Sequence, residues 1–136
     1  MVMKLFLQIE LIQWREARYQ KPMLNYASSL SDDLIGAELD NQSDGSIADL
    51  VIRLCDQVEA VFVLINAQPE EPLGVTLKLI QHLLRKEENI YKVVLAGNHL
   101  ILERLLSTLN EKFIKEIDPE KIKPVIRSFA QLKPER

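Results

Sequence analysis

The sequence predicts a single α/β domain in which helices cover both faces of a mostly parallel β-sheet. Two mainly apolar runs, at 60–65 and 91–96, are too short for helices, and Lys92 is the single charged residue in them. Such runs are typical of strands that are buried on both faces of a parallel sheet. Segments with helical periodicity lie before, between and after them, and this alternation predicts right-handed crossovers. The whole chain, residues 1–136, fits one domain.

The start of the chain allows two interpretations. Residues 3–9 alternate between apolar and polar side chains, which predicts a strand with one face in water. The same region also carries apolar residues at roughly helical spacing, from Leu5 to Met23. We favour the strand, but a helix throughout residues 3–20 is the alternative that the sequence leaves open.

On the strand interpretation, a helix follows the first strand and contains Trp14 and Tyr26. Pro22 is expected to break this helix, because proline disfavours helical backbone at the residue before it. Residues 33–39 then form a short second strand. A polar, glycine-containing loop at residues 40–45 separates this part of the chain from the rest.

Three segments with helical periodicity occupy the middle of the chain. The first has Ser46 as its predicted N-cap, and the second runs over residues 74–86. The third begins at Leu100 and ends at Leu109, with apolar residues on more than one face. Because a peripheral helix needs only one apolar face, we expect a homodimer contact through this helix. Coverage by the C-terminal helix is the alternative.

The last part of the chain predicts an edge strand and a helix. Residues 113–117 alternate, as an edge strand does. Asp118 is the expected N-cap of the final helix, with Pro119 at its first position. Pro124 falls early in this helix, where a distortion is expected. Five strands in this arrangement predict the flavodoxin-like order 2-1-3-4-5 and a three-layer α/β/α sandwich.

Composition and charge exclude several classes of protein. The net charge is −3 and basic residues are interleaved with acidic ones, so no nucleic-acid partner is expected. No apolar run approaches the roughly 20 residues of a membrane helix, so we expect a soluble protein with no membrane partner. Cys55 is the only cysteine. A cytoplasmic location and a buried, inert thiol are therefore expected.

No motif for a metal, a cofactor or catalysis is present in the sequence. The four glycines are far apart, so there is no phosphate-binding loop. His82 and His99 stand apart from other ligand-type residues, and we expect no metal and no cofactor. His99 lies one helical turn before Glu103, and an ordinary i, i+4 pair accounts for that spacing.

Polar residues follow both apolar strands at the edge where open α/β sheets bind ligands. We predict that they line one shared cleft. The candidate pocket residues are Asn66, Gln68, Glu71, Asn98 and His99. The acidic pair Glu70–Glu71 would repel a phosphate, which favours a neutral or cationic ligand over a nucleotide. The alternative is that the pair only complements the dipole of the following helix.

Parts of the chain resemble two families with this strand order. Segment 71–76 is similar to the helix start of nucleoside deoxyribosyltransferase-like proteins, which implies a catalytic glutamate at position 78. Lys78 stands there and cannot act as a nucleophilic carboxylate. The layout also resembles the receiver domains of response regulators, but Asn66 occupies the position of their phospho-accepting aspartate.

The sequence thus leaves two functions open. We favour a non-catalytic interaction or regulatory domain, because no combination of acid, base and nucleophile is present. The alternative is a small enzyme or binding protein for a nucleotide- or sugar-like metabolite at the strand ends. Convergence of the candidate side chains on one enclosed pocket would favour the alternative.

Overall fold

Five parallel strands alternate with helices in the computed structural model, which describes residues 3–11 and 22–132. The sheet order is β2-β1-β3-β4-β5, which confirms the predicted flavodoxin-like topology. The strands are β1 (Lys4–Leu11), β2 (Leu34–Asp40), β3 (Ala60–Ala67), β4 (Ile90–Gly97) and β5 (Phe113–Lys115). The helices are α1 (Pro22–Ser28), α2 (Gly45–Gln57), α3 (Thr76–Arg85), α4 (Leu100–Leu106) and α5 (Pro119–Ala130). Short 3-10 turns cover Glu87–Asn89 and Ser107–Lys112.

Alternate residues of the central strands belong to two separate hydrophobic clusters, one on each face of the sheet. Val63 and Ile65 pack with α2, α3 and α4 on the first face. Phe62 and Leu64 pack with α1 and α5 on the opposite face. The predicted burial of both central strands is confirmed, because seven residues are at most 1% exposed: Val61, Val63, Leu64, Ile65, Val93, Val94 and Leu95.

β1 is a strand, as favoured above, but the expectation that one of its faces lies in water is wrong. Lys4, Gln8 and Glu10 are each only 2–3% exposed. The reason is topological, since β1 lies between β2 and β3 and the face that carries these residues is the one that α1 and α5 cover. The Lys4 amine donates hydrogen bonds to the Ala130 carbonyl at 2.6 Å and to the Asp33 carboxylate at 3.3 Å.

Two helix starts differ from the sequence prediction. The N-cap of α2 is Asp44 and not Ser46, because the Asp44 carboxylate accepts hydrogen bonds from the amides of Ser46 (3.0 Å) and Ile47 (3.2 Å). Pro22 is the first residue of α1, a position that suits proline. The part of the predicted helix that precedes Pro22 lies outside the described residues.

The C-terminal helix begins as predicted. The Asp118 carboxylate accepts a hydrogen bond from the Glu120 amide at 3.0 Å, which confirms Asp118 as its N-cap. The helix continues through Pro124. Across residues 3–11 and 22–132, no helix combines the length and the apolar character that crossing a bilayer would require.

Candidate functional site

A cleft of about 540 Å³ lies at the carboxyl ends of β3 and β4. One wall is the β3–α3 loop, at residues 69–72, and the other is formed by residues 98–101 and Glu103, around the start of α4. We call it the edge cleft. Its size falls within the range of roughly 300–1,000 Å³ that is usual for ligand sites.

The predicted site residues divide between two places. Glu71, Asn98 and His99 line the edge cleft, whereas Asn66 and Gln68 are not among its lining residues. Asn66 is two residues after Leu64 in β3, so its side chain lies on the same face of the sheet, which α1 and α5 cover. The edge cleft lies on the opposite face, between the starts of α3 and α4. Gln68 begins the β3–α3 loop, and its backbone amide donates a hydrogen bond to the Leu11 carbonyl at 2.9 Å. Ligand binding by any of the five stays a prediction.

His99 connects the two walls of the edge cleft and is only 3% exposed. Its Nδ1 accepts a hydrogen bond from the Leu102 amide at 3.3 Å, so Nε2 carries the proton of a neutral ring. That Nε2 donates to the Glu71 carbonyl at 2.7 Å. The contact with Glu103 runs through the His99 backbone amide, which donates to the carboxylate at 3.1 Å. Both ring nitrogens are therefore occupied within the protein.

Asn41 supports the β3–α3 loop from the opposite side, a role that no pattern in the sequence indicates. Its side-chain amide donates to the Pro72 carbonyl at 2.9 Å and to the Glu71 carboxylate at 3.3 Å. A Cβ at Gly74 would lie 2.6 Å from the Asn41 carbonyl oxygen, so the loop and Asn41 touch closely. Residues 71–72 are thus held between Asn41 and His99.

Lys115 neutralises part of the α4 wall. Its amine donates to the Asn98 side-chain oxygen at 2.9 Å and to the Glu103 carboxylate at 3.0 Å. The hydrogen bond from Lys115, followed by that from the His99 amide, lowers the pKa of Glu103 below its ordinary value. Glu103 is therefore an ionised carboxylate at neutral pH and not a proton donor.

Two large apolar side chains are exposed on the α4 wall. Leu100 is 64% exposed and Ile101 is 55% exposed, whereas Leu102 and Leu106 are buried against the sheet. α5 packs on the opposite face of the sheet, so it does not cover α4 as the alternative interpretation of this helix supposed. An adjoining cleft of about 270 Å³ shares Asn98, and its Ile117 is 73% exposed.

Glu70 stands at the tip of the β3–α3 loop in a left-handed backbone conformation, with φ of 66°. The Glu71 amide donates to the Gln68 carbonyl at 3.3 Å, which closes a β-turn over residues 68–71. Pro69 and Glu70 occupy the middle of this turn, with the positive φ at the position where a type II turn usually has glycine. Glu70 is exposed and makes no ion pair with any residue of the described ranges.

The other nucleophilic or metal-ligating side chains are inert or dispersed. Burial raises the pKa of the Cys55 thiol to about 12, so no thiolate is available near neutral pH. His82 bonds to Asp56 at 2.8 Å on the surface between α2 and α3. No group of three or more metal-ligating side chains occurs in the described part of the chain.

A buried polar patch at the carboxyl end of β1 was missed, because the alternating sequence placed these side chains in water. Gln8 and Glu10 share one face of β1, and Glu10 lies opposite both Asp40 and Asn66 in the strand register. The side-chain oxygen of Gln8 is buried and accepts no hydrogen bond from any residue in the described ranges. The patch lies where the strand order reverses, between β1 and β3.

Comparisons with protein-family models, with curated proteins and with solved structures gave no match. The geometry of the two clefts and of the polar patch is therefore the basis for the proposals below.

Proposed function

We propose that this chain is a non-catalytic interaction domain that receives apolar side chains of a partner protein in the edge cleft. One observation carries the proposal. Leu100 and Ile101 are more than half exposed at a concave site, whereas large apolar residues in concave sites are usually covered by a ligand or a partner. Prolines at 69 and 72 on the facing loop add to the apolar surface.

The polar groups of the cleft support a binding role over a catalytic one. A general base needs a free lone pair within reach of its substrate. The His99 ring has none, because Nδ1 accepts from the Leu102 amide and Nε2 donates to the Glu71 carbonyl. Asn98 and Glu103 are bound to Lys115. These side chains shape the cleft and leave its apolar wall, together with the carboxylates of Glu70 and Glu71, as the contact surface.

Selection from a library of random short peptides tests the proposal. Wild-type protein is the target, and binders that also recognise the double variant Leu100→Glu with Ile101→Glu are removed. Glutamate in the first helical turn suits the helix dipole, so the variant is expected to fold. We expect the remaining peptides to bind the double variant at least about tenfold more weakly, as for apolar anchors of interfaces.

Leu50→Glu is the matched control for this experiment. Leu50 is 57% exposed, which is similar to the exposure of Leu100 and Ile101, but it lies on α2 and outside the cleft. Peptides should bind the Leu50→Glu variant with unchanged affinity. A selection that yields no peptide dependent on Leu100 and Ile101 would contradict the proposed function.

A second candidate function is the binding of a small polar ligand at the carboxyl end of β1, and the Gln8 oxygen favours it. A buried oxygen without a hydrogen bond is costly, and a ligand that donates an N–H or O–H group to it would remove that cost. Nucleotide- and sugar-like compounds carry such donors.

A thermal-shift screen against nucleotides and sugars tests this second candidate. We expect a compound that raises the Tm of the wild type but not that of Gln8→Leu. The variant removes the unpaired oxygen and replaces glutamine with an apolar side chain one heavy atom shorter, so its own Tm should change little. If no compound raises the wild-type Tm, or if Gln8→Leu responds equally, the polar patch is not the ligand site.

A further inference from the structure

We infer that the segment received by the edge cleft carries lysine or arginine next to its apolar side chains. This inference rests on the proposed function and specifies the chemistry of the partner. It follows from the charge of the cleft, from the conformation of Glu70 and from the arrangement of the two walls.

The charge of the cleft has one sign. Among the described residues, its lining includes three glutamates, Glu70, Glu71 and Glu103, and neither lysine nor arginine. Lys115 offsets Glu103 from the adjoining cleft, and the Glu71 carboxylate accepts a hydrogen bond from the neutral Asn41 amide. A partner with its own carboxylates or phosphates would therefore be repelled, whereas a cationic one would be attracted.

The conformation of Glu70 favours a binding role for its carboxylate. A side chain at a positive φ destabilises the folded backbone relative to glycine. No ion pair of Glu70 within the described residues offsets this backbone strain. Strained positions of this kind concentrate at functional sites. A cation from the partner would supply the missing contact.

The two walls present different chemistry to one bound segment. Leu100 and Ile101 face the cleft from α4, and the acidic residues 70 and 71 face it from the loop. His99 joins these walls through its hydrogen bond to the Glu71 carbonyl, which fixes their spacing. A segment with aliphatic side chains flanked by basic ones contacts both walls at once.

Three synthetic peptides of equal length test the charge requirement. The first has an aliphatic centre flanked by lysines, the second replaces the lysines with glutamates, and the third keeps the lysines with a serine centre. Binding is followed through the methyl NMR signals of Leu100 and Ile101. We expect saturable shifts with the first peptide only, and an affinity that weakens as salt rises.

Variants of Glu70 separate affinity from stability. Glu70→Gln should weaken binding of the first peptide by about two- to fivefold, as the loss of an exposed ion pair does. Glu70→Gly should weaken it equally and also raise Tm by about 2–4 °C, because glycine relieves the positive φ. Glu59→Gln, at an exposed carboxylate outside the cleft, should change neither value.

The outcomes distinguish this inference from the proposed function. Equal affinity for the glutamate-flanked peptide, or no loss with Glu70→Gln, would overturn the basic partner and leave the interaction domain standing. If no peptide from the library depends on Leu100 and Ile101, the proposed function fails. Should the wild type sediment as a dimer and the double variant as a monomer, the occupant is a second copy, as predicted for this helix, and the basic segment is overturned.

Discussion

Replacing Leu64 with alanine is expected to lower the free energy of unfolding by about 2–5 kcal/mol. Leu64 is 1% exposed at the middle of β3, on the face that α1 and α5 cover. Phe6, Phe62 and Phe129 pack in this part of the core, with the Phe6 and Phe62 rings stacked at 5.3 Å and Phe129 tilted against Phe62 at 5.6 Å. Such a group cannot collapse around the lost side chain, so a cavity remains.

Urea unfolding followed by circular dichroism measures this change. Leu50→Ala is the matched control, since it makes the same chemical change at a side chain that is 57% exposed. It should alter the free energy of unfolding by no more than about 0.5 kcal/mol. A loss below about 1 kcal/mol for Leu64→Ala would contradict the packing of β3 between two layers of helices.

The central part of the fold was predictable because its signals are local. The apolar runs of β3 and β4 have no polar face, and only a strand covered on both sides is consistent with that pattern. β1 was misjudged on one face because burial there is not local. Gln8 and Glu10 alternate with Leu7, Ile9 and Leu11 as in a half-exposed strand. The helices that cover their face of the sheet include α5, which is more than 100 residues away.

The candidate site was predictable only in part, for a similar reason. The ends of β3 and β4 can be located in the sequence, which is why Glu71, Asn98 and His99 could be predicted to lie at one edge of the sheet. It does not show which way a residue near a strand end points, and strand alternation sends Asn66 to the other face. The supporting role of Asn41 depends on the pairing of β2 beside β1, which no short-range pattern reveals.

Gly97→Ala is expected to lower the free energy of unfolding by about 2–4 kcal/mol, from backbone strain together with overpacking. Gly97 ends β4 with φ of 121°, a conformation that side chains rarely adopt. A Cβ there would lie 2.3 Å from the carbonyl oxygen of Ala67, its partner in the register with β3. That oxygen belongs to the backbone of a central strand, so it cannot move aside without separating β3 from β4.

Gly45→Ala is the control for this substitution, and the comparison also probes the edge cleft. A Cβ at Gly45, the first residue of α2, would meet nothing within 4 Å, so its effect should stay within about 0.5 kcal/mol. Gly97 directly precedes Asn98 and His99, so a strained Gly97→Ala protein should also shift the NMR signals of the α4 wall. A variant as stable as the wild type, with the Leu100 and Ile101 signals unmoved, would show that β4 does not approach β3 as closely at this edge as the structure describes. The spacing of the cleft walls would then not depend on the end of β4.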